Sequence, residues 1–249
     1  MMMNRFGRIA LAITALAGTT MLHAQEDHPV APPDLKTGDA WVFDDIEEKG
    51  TTGFNQHRLD LVIESVGGAM MTVGVKPDGA PTGFQDHLVG ADWSQRRLLN
   101  GQQSVTTQPF RFPMAKGHQW TVDFTDPTRR GNQLSAHIHR TYTVAGWVDV
   151  SVPAGHFRAL EVVAEGVDEA MIQVPATASA SAMAVPGGSA SISAAQRGGI
   201  SKLVRGTHAE LYYVPGVKNY VKSVEEQYNT DNVRVIRHTQ NLVSFTPAG

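Results

Sequence analysis

Apolar and polar positions alternate over most of this chain with the period of two that is typical of β-strands. The alternation is clearest from Gln56 to Val66, where apolar side chains fall on one face and polar side chains on the other. This is the pattern of an antiparallel strand with one solvated face. Gly67 and Gly68 then supply a turn, and Met70 to Val75 has the pattern of a returning strand. The sequence therefore predicts a β-hairpin here.

Further strands are predicted along the chain, with turn residues between them and little that is helical. They are Ala40 to Glu47, Gln119 to Phe124, Leu134 to Val150, Phe157 to Ala164, Ser201 to Tyr213, Lys218 to Tyr228 and Val233 to Phe245. Strands at such regular spacing favour an all-β, mainly antiparallel fold: a curved sheet, a half-barrel or a sandwich. Because all-β units often reach this size, we expect residues 35–249 to form a single domain.

A Pro-Gly pair interrupts the last predicted strands, in the stretch ELYYVPGVKNYVKS. Proline suits the first central position of a type II turn, and glycine suits the positive φ of the second. We therefore expect a tight hairpin turn at Pro215-Gly216, with Tyr213 and Lys218 beside it.

Two tryptophans follow a glycine at the same spacing, in PDLKTGDAW, which ends at Trp41, and in PMAKGHQW, which ends at Trp120. Glycine permits a turn, and the tryptophan three residues later can enter a sheet and fill its core. The repeat is explained either by two similar half-sheets or by chance recurrence of a good strand start.

The segment 175–199 differs from the rest because it consists mostly of alanine, serine and glycine. A segment with so little apolar surface gains little from burial when it becomes ordered. We expect a long flexible loop there, with the strands on either side able to pair across it. A covering role over a binding site is one function open to such a loop.

The N-terminal residues have the order of a secretory signal. Arg5 and Arg8 precede an apolar run from Ile9 to Ala17, and a small residue, Ala24, offers a cleavage site. The run is shorter than the roughly 20 residues that span a bilayer. We therefore expect residues 1–24 to be a signal peptide, residues 25–34 to be a flexible lead-in, and the protein to lie in the periplasm or outside the cell.

Composition narrows the function further. The chain has no cysteine, so neither a disulfide framework nor a lipidated cysteine is expected, and we predict that it is not a lipoprotein. With 21 basic and 24 acidic residues, the chain does not have the charge of a nucleic-acid-binding protein. No further apolar run approaches membrane length, so an integral membrane protein is not expected.

Local motifs of known catalytic sites are missing from the sequence: there is no Gly-x-Ser-x-Gly, no Ser-x-x-Lys, no phosphate-binding glycine loop and no His-Glu-x-x-His. A non-catalytic protein without a cofactor is therefore expected. The best candidate for metal chemistry is the pair His137 and His139, which would share one face of a strand. A zinc site would need further ligands, and the alternative is two histidines on a solvated face.

Charged residues cluster in one acidic group near the first predicted strand and in two arginine pairs. Asp44-Asp45 and Glu47-Glu48 form an acidic cluster near the first predicted strand, and we expect them at a solvated hairpin tip. The pairs Arg96-Arg97 and Arg129-Arg130 are expected in exposed turns.

Aromatic residues are the most plausible ligand contacts. Most of them fall at strand starts or on the apolar phase of a strand, so they would fill the core of a sandwich or line the cavity of a half-closed barrel. The candidates for ligand binding are Trp41, Trp120, Trp147, Tyr213 and Tyr220.

Four stretches resemble a family of bacterial periplasmic proteins without an established activity: LKTGDAWVF, FPMAKGHQWTV, VDVSVPAGHFRALEV and YYVPGVKNYVKS. The resemblance covers most of the mature chain and implies a β-rich exported domain. It transfers no catalytic residue. Two features depart from the pattern: the Ala/Ser-rich segment is longer, and Tyr212 stands where tryptophan is common. In architecture alone, the chain also resembles the half-barrels of periplasmic lipoprotein and lipid carriers, a likeness of fold that says little about function.

Three functions follow from these observations. The first is a periplasmic protein that binds a lipid-like ligand or an envelope partner on a concave sheet. The second is a structural or interaction module of the cell envelope. The third is a metal-assisted hydrolase that uses His137 and His139.

Overall fold

The structure is a computed structural model that describes residues 28–50, 53–174, 177–185, 188–196 and 198–249, with only the backbone described between 177 and 196. These residues form fourteen β-strands and one short 3₁₀ helix, Pro215–Val217. The strands are β1 (Ala40–Lys49), β2 (Gly53–Gly67), β3 (Met70–Pro77), β4 (Gln85–Gly90), β5 (Gln95–Leu99), β6 (Gln102–Thr107), β7 (Gln119–Asp126), β8 (Gln133–Val152), β9 (Gly155–Val174), β10 (Thr177–Val185), β11 (Gly188–Gln196), β12 (Gly199–Val214), β13 (Asn219–Tyr228) and β14 (Arg234–Thr246).

Ten of the strands make one antiparallel sheet in the order β4-β3-β2-β1-β14-β13-β12-β9-β8-β7. Strand β5 pairs with β6, and β10 pairs with β11, as two separate two-stranded sheets. The large sheet is curved and unclosed, since β4 and β7 lie at opposite ends of its order. The predicted all-β antiparallel fold is confirmed, in the form of an open curved sheet.

The predicted hairpin of β2 and β3 is present, with Gly68 in the left-handed region at φ 63°. Strands β9 and β12 pair from Tyr213 opposite Leu160 to Gly199 opposite Val174, as expected for strands that meet across the Ala/Ser-rich segment. Strands β4, β5 and β6 were not predicted. They are short, and polar residues occupy most of their positions, so their alternation is weak. The prediction that Arg96 and Arg97 lie in an exposed turn was wrong, because both residues belong to β5.

One face of the sheet, called the inner face here, carries two clusters of buried apolar side chains. Trp41 and Phe43 lie in the cluster over β1 to β3, and Trp120 and Tyr142 lie in the cluster over β7 to β9. The two tryptophans of the repeated spacing thus each fill a different half of the core. Gly38 and Gly117, which precede them, both have positive φ, at 96° and 83°.

The chain between β4 and β7 covers part of the inner face. From this covering segment, residues 91–114, Phe110 and Met114 are buried in the core. The indole of Trp120 donates to the carbonyl of Gln108 at 2.8 Å, and Arg97 pairs with Asp126 of β7 at 2.7 Å. These contacts fix the covering segment against the sheet.

The reversal between β12 and β13 differs from the predicted type II turn. Pro215–Val217 is a 3₁₀ turn, and the positive φ falls on Lys218, at 64°. The amide of Lys218 donates to the carbonyls of Val214 and Pro215, while its ammonium group contacts the buried carboxylate of Asp39 at 2.8 Å. The ion pair and the turn therefore hold Lys218 in a conformation that usually favours glycine.

Within the segment 175–199, predicted as a flexible loop, residues Thr177–Val185 and Gly188–Gln196 pair as β10 and β11, with Val185 opposite Gly188. The predicted insertion thus contains a two-stranded hairpin, and its flexibility stays a prediction. Backbone amides and carbonyls can pair across a hairpin whatever the side chains are.

The predicted signal peptide, 1–24, lies outside the described residues. Of the predicted lead-in, His28 to Asp34 are described, and Val30 pairs with Met114 through two backbone hydrogen bonds of 2.7 and 2.9 Å. The lead-in is therefore attached to the core at one point. Within the described residues, no helix is long and apolar enough to cross a membrane.

Candidate functional site

A cleft of about 330 Å³ opens on the inner face, between the large sheet and the covering segment. Its apolar side is formed by Leu61, Val73, Val75, Val89, Trp93, Pro109 and Leu211. Its polar side is formed by His87, Gln95, Thr107, Asn219, Tyr220, Ser223, Glu225, His238 and Gln240. Although more of the lining residues are polar, the surface that they expose to the cleft is mainly apolar. A concave, mainly apolar surface with polar groups at defined places is the usual form of a small-molecule site.

The apolar wall follows from strand register. Leu61 of β2 lies opposite Val75 of β3, and Ile63 lies opposite Val73, so these side chains share the inner face. Val89 of β4 lies opposite Met71, which is on the same face of β3 as Val73. Because side chains alternate along each strand, three neighbouring strands present one apolar surface to the cleft.

The floor of the cleft is a chain of hydrogen bonds. The hydroxyl of Tyr220 donates to Oε1 of Gln240, and Nε2 of Gln240 donates to Oδ1 of Asp45 at 2.7 Å. His238 lies 2.6 Å from the same oxygen through Nε2, and His57 lies 3.3 Å from Oδ2. Strand pairing places these residues side by side on β13, β14, β1 and β2.

The charges of the floor are mutually stabilised. Burial raises the pKa of Asp45, but the hydrogen bonds from His238 and Gln240 outweigh it, so that the pKa lies below its usual value. The hydrogen bond to Asp45 raises the pKa of His238, against the opposing effect of burial. Burial, with the nearby carboxylates of Glu225 and Asp45, raises the pKa of Tyr220. Tyr220 is therefore a neutral hydrogen-bonding group at neutral pH.

Trp93 forms the edge of the cleft that belongs to the covering segment. Its backbone is in the left-handed region, at φ 63°, which is uncommon for a bulky residue. The indole donates to the carbonyl of Lys218 at 3.0 Å and packs edge-on against Trp41, with ring centroids 5.3 Å apart. These contacts hold the strained backbone and fix the indole beside the opening.

Of the five aromatic residues predicted to bind a ligand, Tyr220 alone lines the cleft. Trp41 and Trp120 are buried in the core, and each ring nitrogen donates to a backbone carbonyl. Trp147 and Tyr213 border a separate opening of about 350 Å³, together with residues 28–34. The structure therefore does not bring the five residues into one site.

The predicted metal residues lie on one face, as expected from their spacing. His137 and His139 both contact the carboxylate of Asp123 on the neighbouring strand β7, at 3.2 and 2.7 Å. These hydrogen bonds lower the pKa of Asp123. Among the described residues, no group of three or more histidine, aspartate or glutamate side chains is arranged to hold a metal ion.

Three further histidines have hydrogen-bond partners of their own. His156 bonds to Ser151 at 2.7 Å, His208 bonds to Glu165 at 2.7 Å, and His238 bonds to Asp45.

For Asp45, the prediction of a solvated hairpin tip was wrong. Asp45 is buried on the inner face, since it occupies the same phase of β1 as Trp41 and Phe43. Its neighbours are more exposed: Glu47 pairs with Lys49 at 2.8 Å, and Glu48 pairs with Arg234 at 3.2 Å.

Sequence reasoning missed most of the cleft. The alternation in β2 placed Leu61 on the apolar face, but nothing local indicated that it borders an opening. Nothing in the sequence around Asn219 and Gln240 indicated that they line a cleft, because their position depends on the register between β12, β13 and β14.

Comparison with known proteins gives only distant likenesses. No family model matches the chain, and no curated protein matches it. A candidate lipoprotein from Parabacteroides distasonis has 12% identity and a TM-score of 0.43, covering 88% of this chain and 100% of its own. A candidate exported protein with a YmcC-like fold from Bacteroides fragilis has 12% identity and a TM-score of 0.38, covering 88% and 99%.

The hypothetical lipoprotein YmcC from Escherichia coli has 11% identity and a TM-score of 0.30, covering 84% of this chain and 86% of its own. Likenesses at these TM-scores carry no argument about function. The prediction that this chain is not a lipoprotein stays a prediction.

Proposed function

We propose that this protein binds a lipid-like molecule in the cleft, without catalysis, as an exported protein of the periplasm. The observation that carries the proposal is the apolar wall of Leu61, Val73 and Val75 opposite a hydrogen-bonded floor. An amphiphile would place its chain against the wall and its polar end at the floor. The apolar contact supplies affinity, and the few polar groups supply orientation.

The test is a variant that fills the cleft. Val75 borders the opening and is half-buried, so Val75→Trp adds volume within the cleft. We expect the affinity for Nile red, a neutral apolar fluorophore, to fall by about tenfold or more, because the loss of apolar contact is worth on the order of 1–3 kcal/mol. Native mass spectrometry with lipid extraction of the periplasmic protein should show a bound amphiphile in the wild type.

Val66→Trp is the matched control, since Val66 is exposed at the end of β2 and lies outside the cleft. This variant should bind Nile red like the wild type. Equal loss in both variants, or wild-type protein that carries no amphiphile and binds no Nile red, would reject the proposal.

An interaction module of the envelope is the second candidate. It is favoured by large apolar side chains that are exposed near one end of the sheet: Leu88 of β4 and, just before that strand, Phe84. Strand β4 ends the sheet order, so its outer edge offers unpaired backbone groups to a partner strand. Crosslinking in cells separates the two functions, because a carrier should remain largely monomeric and a module should give a discrete crosslinked partner.

The metal-assisted hydrolase remains a prediction, without an observation that favours it over binding. His137→Ala should leave metal retention unchanged if the two histidines serve only to contact Asp123.

A further inference from the structure

We infer that the ligand of the cleft carries an uncharged oxygen acceptor at its polar end, such as an ester carbonyl, instead of an anionic group. The inference rests on the proposed function. It comes from two residues of the polar side of the cleft, Asn219 and Glu225, which both belong to strand β13.

Asn219 provides an unused donor. Its side chain is 1% exposed, and Nδ2 has no hydrogen-bond partner among the residues that the structure describes. The orientation of the amide is set by Oδ1, which accepts from the backbone amide of Tyr220 at 2.8 Å. Nδ2 must therefore be the free end. A buried donor without a partner is unfavourable, and an acceptor on a ligand would relieve this cost.

Glu225 determines the charge that the ligand can carry. Its carboxylate is exposed at the cleft, close enough to raise the pKa values of both Tyr220 and His238. Asp45 adds a second carboxylate beneath the floor, and its charge is shared with His238. Arg140, whose charge interacts with Glu225, is itself paired with Asp168 at 3.1 Å. Among the described residues that line the cleft there is no lysine or arginine, so an anionic headgroup would meet Glu225 without a fixed positive charge beside it.

The apolar wall and the free amide together select the ligand class. The wall of Leu61, Val73 and Val75 accepts a saturated chain. Nδ2 of Asn219 can donate to a carbonyl or ester oxygen, and Glu225 disfavours a carboxylate or phosphate. Neutral acylated molecules fit all three conditions, whereas free fatty acids fit the first two and fail the third, because their carboxylate is charged.

The experiment compares three probes with a saturated chain of about ten carbons and different ends: methyl decanoate, decanoate and undecane. Each probe displaces Nile red from the wild-type protein. We expect methyl decanoate to bind about two- to tenfold more tightly than undecane, the value of one neutral hydrogen bond. Decanoate should bind more weakly than methyl decanoate. Equal affinities for the ester and the alkane, or the tightest binding for decanoate, would overturn the inference.

Two variants test whether Asn219 causes the preference for the ester and whether Glu225 causes the weaker binding of decanoate. Asn219→Asp keeps the acceptor for the amide of Tyr220 and removes the donor, so the advantage of the ester over the alkane should disappear. Glu225→Gln should strengthen decanoate binding, while Asp231→Asn, in the exposed turn before β14, should not change it. If Asn219→Asp does not fold, the probe series on the wild-type protein still decides the question.

The outcomes also separate this inference from the proposed function. Failure of Nile red and of every probe to bind the wild type would reject both. Binding of all three probes with equal affinity would support the proposal that the cleft binds lipid-like molecules. It would reject only the inference that the ligand carries a neutral oxygen acceptor.

Discussion

At the scale of the residue, environment decides what each polar side chain does. Asp39 and Asp45 both belong to the first predicted strand or its start, and both are buried. Asp39 accepts from the amides of Lys36 and Ala248 and from the ammonium of Lys218, each at 2.8 Å. It thereby joins the start of β1, the end of the chain and the turn before β13. Asp45 joins two histidines and a glutamine at the floor of the cleft.

The pairing of His238 with Asp45 predicts a pH dependence. The hydrogen bond raises the pKa of His238 above its ordinary value of 6.5. The stability that it contributes is therefore fully present below about pH 6.5 and is lost as the pH rises through the raised pKa. Because the ring is about one-third exposed, the change should be no more than about 1 kcal/mol. His238→Gln should flatten the dependence of the unfolding free energy on pH in urea titrations between about pH 5.5 and 8.5.

His208 offers a comparison for this experiment. Its pKa is also raised: burial is the largest single effect and lowers it, but the hydrogen bonds and charges of Glu165 and Glu210 together outweigh burial. Because the Glu165 side chain is 68% exposed, His208→Gln should change the pH dependence less than His238→Gln does. Parallel curves for the wild type and His238→Gln would contradict the prediction.

At the scale of the element, long strands depend on close backbone contact. Gly166 of β9 lies opposite Arg140 of β8. A Cβ at Gly166 would lie 2.3 Å from the carbonyl oxygen of His139 and 2.7 Å from Cγ of Arg140. A side chain cannot enter this space unless β8 and β9 move apart, and that movement would disturb the core on both strands.

Gly166→Ala should therefore lower the unfolding free energy by about 1–3 kcal/mol, the range of overpacking. Gly206→Ala is the matched control, since the nearest atom to its added Cβ is 3.8 Å away, at Tyr228. It should have a much smaller effect in the same urea titration. Equal stability of the two variants would show that β8 and β9 can separate at Gly166 without cost.

At the scale of the whole molecule, the sheet is continuous and the strands β10 and β11 stand apart from it. They pair with each other as a separate two-stranded sheet. Strands β9 and β12, which lead into them, remain paired up to Val174 and Gly199. The end of β9 and the start of β12 are therefore held side by side by their own pairing, without the hairpin of β10 and β11.

Replacing residues 175–198 by Asn-Gly should preserve the fold. Val174 and Gly199 are cross-strand partners, and a two-residue Asn-Gly turn closes such a pair. We expect the unfolding free energy to change by no more than about 0.5 kcal/mol, as for changes away from the core. Circular dichroism and urea titration would check this result. A loss of cooperative unfolding would mean that the hairpin supports the large sheet.

The sequence by itself determined the class of fold, because the period of two along a strand is a local property. The alternation around Leu61 and the glycines before Trp41 and Trp120 could be interpreted without knowing any partner strand. The pairing of β9 with β12 was also within reach, since both strands flank one segment. Polar short strands such as β4 and β5 were missed, because their alternation is too weak to recognise.

Only the tertiary structure decided where a site could lie. Asp45 is the floor of a cleft, rather than a solvated charge, because β1 is paired between β14 and β2. Trp41 and Trp120 fill the core, rather than a binding site, because the covering segment and the turn at Val217 meet their rings. Asn219 and Val75 come to the same opening from strands about 140 residues apart in sequence. Contacts of this kind arise from strand register and sheet curvature, which no short stretch of sequence encodes.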